Sequence, residues 1–93
     1  MGSEARAPGA PPEASFEALV GMLGSVALVN LGAVPPAPGQ PPATDLAQAR
    51  WAIDLLAVLK EKTRGNLAQA EAAGLDDLLA MLRLRYIEAR GRS

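Results

Sequence analysis

The fold is decided by the stretch from Phe16 to Gly32, which reads FEALVGMLGSVALVNLG. Ser15 before it is a preferred N-cap residue and Gly32 a preferred C′ residue, so we predict a helix over about residues 16–31. Apolar side chains occur on every side of this helix, and residues 18–44 contain no ionisable group. Because a helix that is apolar all round is buried by protein or lies in lipid, this helix requires something to cover it.

The rest of the chain predicts a pair of antiparallel helices. Residues 32–43 hold five of the eight prolines, which predicts an extended linker. Apolar periodicity then predicts helix 2 over about residues 45–62 and helix 3 over about residues 68–89. The short turn around Gly65 between two long helices implies an αα-hairpin. We therefore predict an all-α fold of three helices, a very apolar helix 1 and a long antiparallel hairpin, and we expect it to be oligomeric.

Both chain ends are expected to lack stable structure. Residues 1–14 read MGSEARAPGAPPEA and offer too little large apolar surface to offset the entropy of ordering them, which predicts disorder. Residues 91–93 are expected to fray after helix 3. A single helical domain remains over residues 15–90. Its predicted core residues are Trp51, Leu55, Leu79, Leu82 and Tyr86.

Composition excludes several kinds of functional site. The 93 residues include no cysteine and no histidine, and they carry a net charge of −1. Disulfides, thiolate metal sites and histidine chemistry are therefore impossible, and no overall field attracts nucleic acid or membrane. Asp76 and Asp77 are neighbours that point about 100° apart on a helix, and we expect Asp54 to pair with Arg50 or a turn amide. We predict no enzymatic activity, no catalytic residue, no cofactor and no metal site.

A row of small residues suggests that helix 1 lies at an interface. Gly21, Gly24 and Ser25 allow another backbone to approach closely. One interpretation is a tight contact within one chain. We favour the other, self-association, because one small hairpin cannot cover both sides of helix 1, and each further buried leucine or valine contributes about 1.5–3 kcal/mol. The predicted interface, with a dimer expected, comprises Gly21, Met22, Gly24, Ser25, Val26 and Val29.

The end of helix 3 carries a basic cluster with one aromatic residue, which comprises Arg83, Arg85, Tyr86 and Arg90. Arginine beside an aromatic ring can grip phosphate and stack a base. Basic residues in a last turn also suit the negative end of the helix dipole. Three alternatives stay open for this cluster: plain C-terminal charge, contact with RNA or the ribosome, and contact with an acidic protein partner.

Three segments of the chain resemble one known family. They are FEALVGMLGSVALVNLG, IDLLAVLKEKTRGNL (Ile53–Leu67) and LDDLLAMLRLRYIE (Leu75–Glu88), and together they are similar to short bacterial proteins grouped as domain-of-unknown-function family 1844. The most specific parts are IDLL followed by EKTRGNL, and LRLRY in helix 3. The resemblance implies a small, soluble, all-helical protein of the bacterial cytoplasm and supplies no catalytic residue. Members often have a Ser or Thr cap after the GNL turn, whereas here only Glu71 keeps half of a capping box.

These observations lead to one favoured function and two alternatives. The favoured function is a small non-enzymatic, homo-oligomeric interaction or scaffold protein, for which a further protein partner is left open. The first alternative is an RNA- or ribosome-associated accessory protein that uses the basic cluster. The second is membrane association through helix 1, although a helix over residues 16–31 reaches only about 24 Å and a hydrocarbon core is about 30 Å thick.

Overall fold

The computed structural model describes residues 9–92 and contains three α-helices. They are α1 (Phe16–Asn30), α2 (Leu46–Lys62) and α3 (Gln69–Arg92). The predicted all-α fold of three helices is confirmed, and the described chain has no strand beyond an isolated antiparallel bridge between Leu31 and Thr44. Across residues 9–92, none of the helices has both the length and the apolar composition needed to cross a bilayer.

The predictions for the chain ends fall partly outside this described part. Residues 1–8 of the predicted disordered segment and Ser93 of the predicted frayed tail are not described. Residues 9–15 precede α1 without helix or strand. Gly91 and Arg92 belong to α3, so the helix continues about three residues beyond its predicted end.

Two features extend α3 as far as Arg92. The side chain of Ala89 is buried in the core, which holds the last turns of α3 against the other helices. Arg90 and Arg92 lie in the last turn, where the negative end of the helix dipole favours positive charge. Gly74 also lies inside α3 without interrupting it, although an interior glycine costs about 1 kcal/mol relative to alanine.

Side-chain caps begin the first two helices. Ser15 Oγ accepts a 3.0 Å hydrogen bond from the amide of Ala18 at the start of α1. Asp45 Oδ1 accepts a 3.1 Å hydrogen bond from the amide of Gln48 at the start of α2. Each cap satisfies an amide that has no partner within its helix. Both helices therefore begin within one residue of the predicted positions.

The two ends of the proline-rich linker meet beside the end of α1. The amide of Asp45 donates a 2.8 Å hydrogen bond to the carbonyl oxygen of Asn30. Next to it lies the bridge between Leu31 and Thr44, and Gly32 adopts a φ of +77° that lets the chain turn there. The linker is therefore a closed loop that returns the chain from α1 to the start of its own hairpin.

The EKTRGNL segment builds the turn between α2 and α3. The hydroxyl of Thr63 donates a 2.7 Å hydrogen bond to the carbonyl oxygen of Leu59, and Gly65 adopts a φ of +83°. The amide of Ala68 donates to Glu71 Oε1 at 2.9 Å, so Glu71 supplies the half of a capping box that remains in this sequence. The segment that carries the family resemblance most specifically thus has a structural role in the hairpin.

The core lies where the three helices meet. α1 packs mainly on α2, α2 packs on α3, and α1 makes a smaller contact with α3. The largest fully buried side chains all come from the hairpin and are Leu56, Leu75, Leu79 and Leu82. No polar or charged side chain is buried among the described residues. Apolar contacts therefore stabilise the core.

Trp51 lies outside the core, contrary to the prediction. Its side chain is 57% exposed, whereas Ala49 and Ala52 are completely buried. Small side chains at these two positions allow neighbouring helices to approach the backbone of α2, and Trp51 points away from that face because successive residues are about 100° apart. Of the other predicted core residues, two are buried and two are half-buried: Leu79 and Leu82, then Leu55 and Tyr86.

Candidate interaction surfaces

Gly24 faces the interior of its own chain. It is buried, and a Cβ added to it would lie 3.2 Å from Cδ2 of Leu78 in α3. Ala27 and Leu31, which follow on the same side of α1, are also buried. This face packs within the chain, so the prediction that Gly24 lies at an oligomer interface is wrong. The alternative interpretation, a tight contact within one chain, is correct for this glycine.

The opposite side of α1 is exposed and apolar. Leu19, Met22 and Val26 are 40%, 59% and 37% exposed, and we call these three residues the α1 stripe. Their spacing of three and four residues aligns them along one side of the helix. The other predicted interface residues stay at or near the surface, two exposed and one half-buried: Gly21, Ser25 and Val29.

There is open space beside the α1 stripe and at Gly21. Pro11 and Pro12 border a shallow depression that also includes Leu19 and Met22. A Cβ added to Gly21 would have no neighbouring atom within 4 Å. The contacts of the chain itself therefore leave room beside the stripe for the approach of another backbone.

The chain exposes more surface than a compact monomer of its size. Its accessible surface is 6383 Å², whereas the general relation between mass and surface gives about 5,100 Å² for a protein of 9.6 kDa. Several large apolar side chains on the helices are exposed. These exposed apolar residues are Leu19, Met22, Val26, Trp51, Val58, Leu84 and Ile87.

A second candidate surface lies between α2 and α3. We call it the arginine groove, and its lining residues are Arg50, Ile53, Asp54, Arg83, Tyr86, Ile87 and Arg90. Sequence reasoning did not assign Arg50 to the basic cluster because it is distant from helix 3 along the chain. The predicted antiparallel hairpin could have indicated that Arg50 joins the cluster, because it places the start of α2 beside the end of α3. The groove thus combines three guanidinium groups with apolar side chains.

The structure divides the predicted basic cluster between two sides of α3. Arg83, Tyr86 and Arg90 line the arginine groove. Arg85 instead lies near the end of α1, and its Nε is 3.2 Å from the sulfur of Met81. Positions 83 and 85 differ by about 200° around the helix. The four predicted residues therefore do not form one surface.

The closest ion pairs support the hairpin. Lys60 Nζ lies 2.7 Å from Asp76 Oδ1 and links α2 to α3. In the turn, Arg64 Nη2 donates a 2.6 Å hydrogen bond to Glu61 Oε1, which lowers the pKa of Glu61 and raises the pKa of Arg64. Among residues 9–92, no group of three acidic side chains lies close enough together to hold a metal ion.

Comparison with known proteins identifies a family and no ligand. A family model described as "Domain of unknown function (DUF1844)" matches residues 13–88. The matched residues include all of α1 and α2, most of α3, and every groove residue except Arg90. No curated protein matches the chain, and no solved structure matches it.

Proposed function

Because the chain belongs to the DUF1844 family, whose function is unknown, we propose its function from its surface: a small non-enzymatic scaffold that associates with a second copy of itself through the α1 stripe. The single observation that carries this proposal is the exposure of Leu19, Met22 and Val26 along one side of α1. Fully burying a fully exposed leucine, methionine or valine side chain contributes about 1.5–3 kcal/mol. Each stripe side chain contributes in proportion to the fraction that is still exposed, so covering the stripe favours association.

The absence of charge on this part of the chain favours a second copy as the partner. Residues 18–44 contain no ionisable side chain. In a two-fold dimer each surface meets its own copy, so a strongly charged surface would repel itself. An uncharged apolar surface is complementary to its own copy without any such cost.

Gly21 provides a further argument for a close approach between two α1 helices. A glycine inside a helix costs about 1 kcal/mol relative to alanine. Within the chain nothing requires a glycine here, because a Cβ at this position would meet no atom within 4 Å. A second backbone crossing α1 beside Gly21 and Ser25 supplies a reason for the small residues.

Size exclusion with light scattering, without detergent, tests the proposal. We expect twice the chain mass of 9.6 kDa for the wild type, and a monomer for both Met22→Asp and Val26→Asp. Val58→Asp is the matched control, because Val58 is an exposed valine on α2 outside the stripe. A monomeric wild type, or stripe variants that keep the dimer mass, would contradict the proposal, provided that circular dichroism finds these variants folded.

We also propose that the protein is located in the cytoplasm of a bacterium, as the family resemblance implies. Immunoblotting of fractionated cells tests it. Contact with RNA or the ribosome and membrane association through α1 stay predictions of the sequence. The first requires binding that weakens with salt, and the second requires sedimentation with lipid vesicles.

A further inference from the structure

The arginine groove is a binding surface separate from the α1 stripe, and we propose that it binds an acidic amphipathic helix of another protein. Its residues come from the start of α2 and the end of α3, and none of them belongs to α1. The inference therefore does not depend on self-association.

The charges in the groove favour an acidic ligand. Arg50, Arg83 and Arg90 contribute three positive charges, and Asp54 contributes one negative charge. Arg50 Nε and Asp54 Oδ2 are 3.9 Å apart, which is one of the two arrangements that the sequence predicts for Asp54, and both side chains are largely exposed to solvent. Such an exposed pair is weak, so the guanidinium of Arg50 is able to exchange this partner for a carboxylate that binds it in bidentate geometry.

Arg83 is the strongest single determinant of the proposed site. It makes no ion pair or hydrogen bond with any side chain of residues 9–92, and it lies within the groove. A hydrogen bond between two charged groups is stronger than one between neutral groups. A ligand carboxylate at Arg83 therefore adds an interaction without breaking one within the chain.

The apolar part of the groove distinguishes a peptide from a nucleic acid. Ile53 is buried and Tyr86 half-buried, whereas Ile87 is exposed beside the arginines. The apolar face of an amphipathic helix covers such a side chain, as in other helix-in-groove complexes. A phosphate backbone has no apolar group that could cover Ile87.

The spacing of the arginines matches a helical ligand. Arg83 and Arg90 are seven residues apart in α3, which corresponds to a rise of about 10.5 Å along the helix axis. Two carboxylates seven residues apart on a partner helix have the same separation. A helix that lies along the groove therefore presents one carboxylate near each arginine.

Fluorescence anisotropy with a labelled probe tests this site. The probe is a helical peptide of alanine and leucine with two glutamates seven residues apart, and its control has glutamine at both positions. We expect the glutamate peptide to bind at least about tenfold more tightly than the control. The double variant Arg50→Gln/Arg83→Gln should lose at least about tenfold in affinity, which corresponds to about 1.4 kcal/mol.

Arg85→Gln is the matched control variant, because Arg85 lies on the same helix but outside the groove. It should bind the probe as the wild type does. Equal binding of the two peptides, or an equal loss in Arg85→Gln, would overturn the proposal. Single-stranded oligouridylate could instead bind more tightly than the glutamate peptide and shift the amide signals of Ile53 and Ile87. That result would overturn the proposal, because the ligand of the groove would then be a nucleic acid. Light scattering on the same samples tests self-association independently.

Discussion

Gly24 in α1 lies against Leu78 in α3, and a Cβ added to the glycine would be 3.2 Å from Cδ2 of the leucine. The missing side chain allows α1 to pack closely on the hairpin. One face of α1 is thereby buried within the chain, while Met22 and Val26 on its other side remain exposed. The small residue Gly24 thus belongs to the buried face of α1 and not to the exposed α1 stripe.

We predict that Gly24→Leu destabilises the fold by about 1–3 kcal/mol, because the added side chain overpacks the contact with Leu78. The free energy of unfolding from urea titrations measures the effect. Gly74→Leu is the control, since Gly74 is also inside a helix but has open space around its Cβ position. An equal loss in both variants would mean that the contact with Leu78 is unimportant.

We predict the opposite effect on stability for Gly21→Ala. The fold should gain up to about 1 kcal/mol from the better helix propensity, because the added methyl group meets no atom of its own chain within 4 Å. The dimer should dissociate more readily, because the methyl group occupies space that a second α1 requires. Sedimentation equilibrium over a dilution series measures the dissociation constant. An unchanged constant in the more stable variant would remove Gly21 from the interface.

We predict that Trp51→Ala costs less than about 1 kcal/mol, because this side chain is mostly exposed. Leu56→Ala in the same helix should cost about 2–5 kcal/mol, because Leu56 is completely buried. Unfolding followed by circular dichroism compares the two variants without relying on the tryptophan signal. A large loss in Trp51→Ala would mean that Trp51 is covered in solution, for example by a second chain.

The case of Trp51 illustrates why part of the fold was predictable and part was not. Helix ends depend on local signals that single residues carry. Ser15 and Asp45 cap the starts of α1 and α2, and Gly65 marks the turn between α2 and α3. α2 has two adjacent apolar stripes, and the buried one is decided by where α1 packs. Periodicity alone does not contain that information, although the buried alanines at 49 and 52 indicate a close approach in retrospect.

The candidate surfaces were predictable to different extents. The exposed side of α1 could be inferred, because no ionisable residue after Glu17 marks a solvent face on this helix and one hairpin cannot cover all of it. The arginine groove could be inferred only in part. Arg83 and Arg90 share a helix face, but Arg50 joins them through the antiparallel arrangement of α2 and α3, which is a tertiary relationship.

We predict a small pH-dependent contribution to stability from the turn between α2 and α3. The hydrogen bond and charge of Arg64 hold the pKa of Glu61 below its usual 4.5. Because the folded-state pKa is the lower one, this contribution is present above about pH 4.5 and is lost as the pH falls through the folded value. Urea midpoints of the wild type and Glu61→Gln, compared across that range, measure it. The difference between the two proteins should shrink on acidification and on addition of salt, and a constant difference would contradict the assignment.

The closed linker yields a prediction with a control in the same loop. Gly32 and Gly39 both have a positive φ, +77° and +83°, so alanine at either position is strained by about 1–2 kcal/mol. At Gly32 the new Cβ would also lie 2.6 Å from Oγ1 of Thr44, whereas at Gly39 it would meet nothing within 4 Å. Gly32→Ala should therefore destabilise the protein more than Gly39→Ala, because it separates the two ends of the loop that join α1 to its own hairpin. Urea unfolding of the two variants measures the difference, and the amide of Asp45, which bonds to Asn30, should lose hydrogen-exchange protection only in Gly32→Ala. Equal losses of stability with protection retained would mean that backbone strain alone accounts for both effects and that contact with Thr44 does not hold the loop closed.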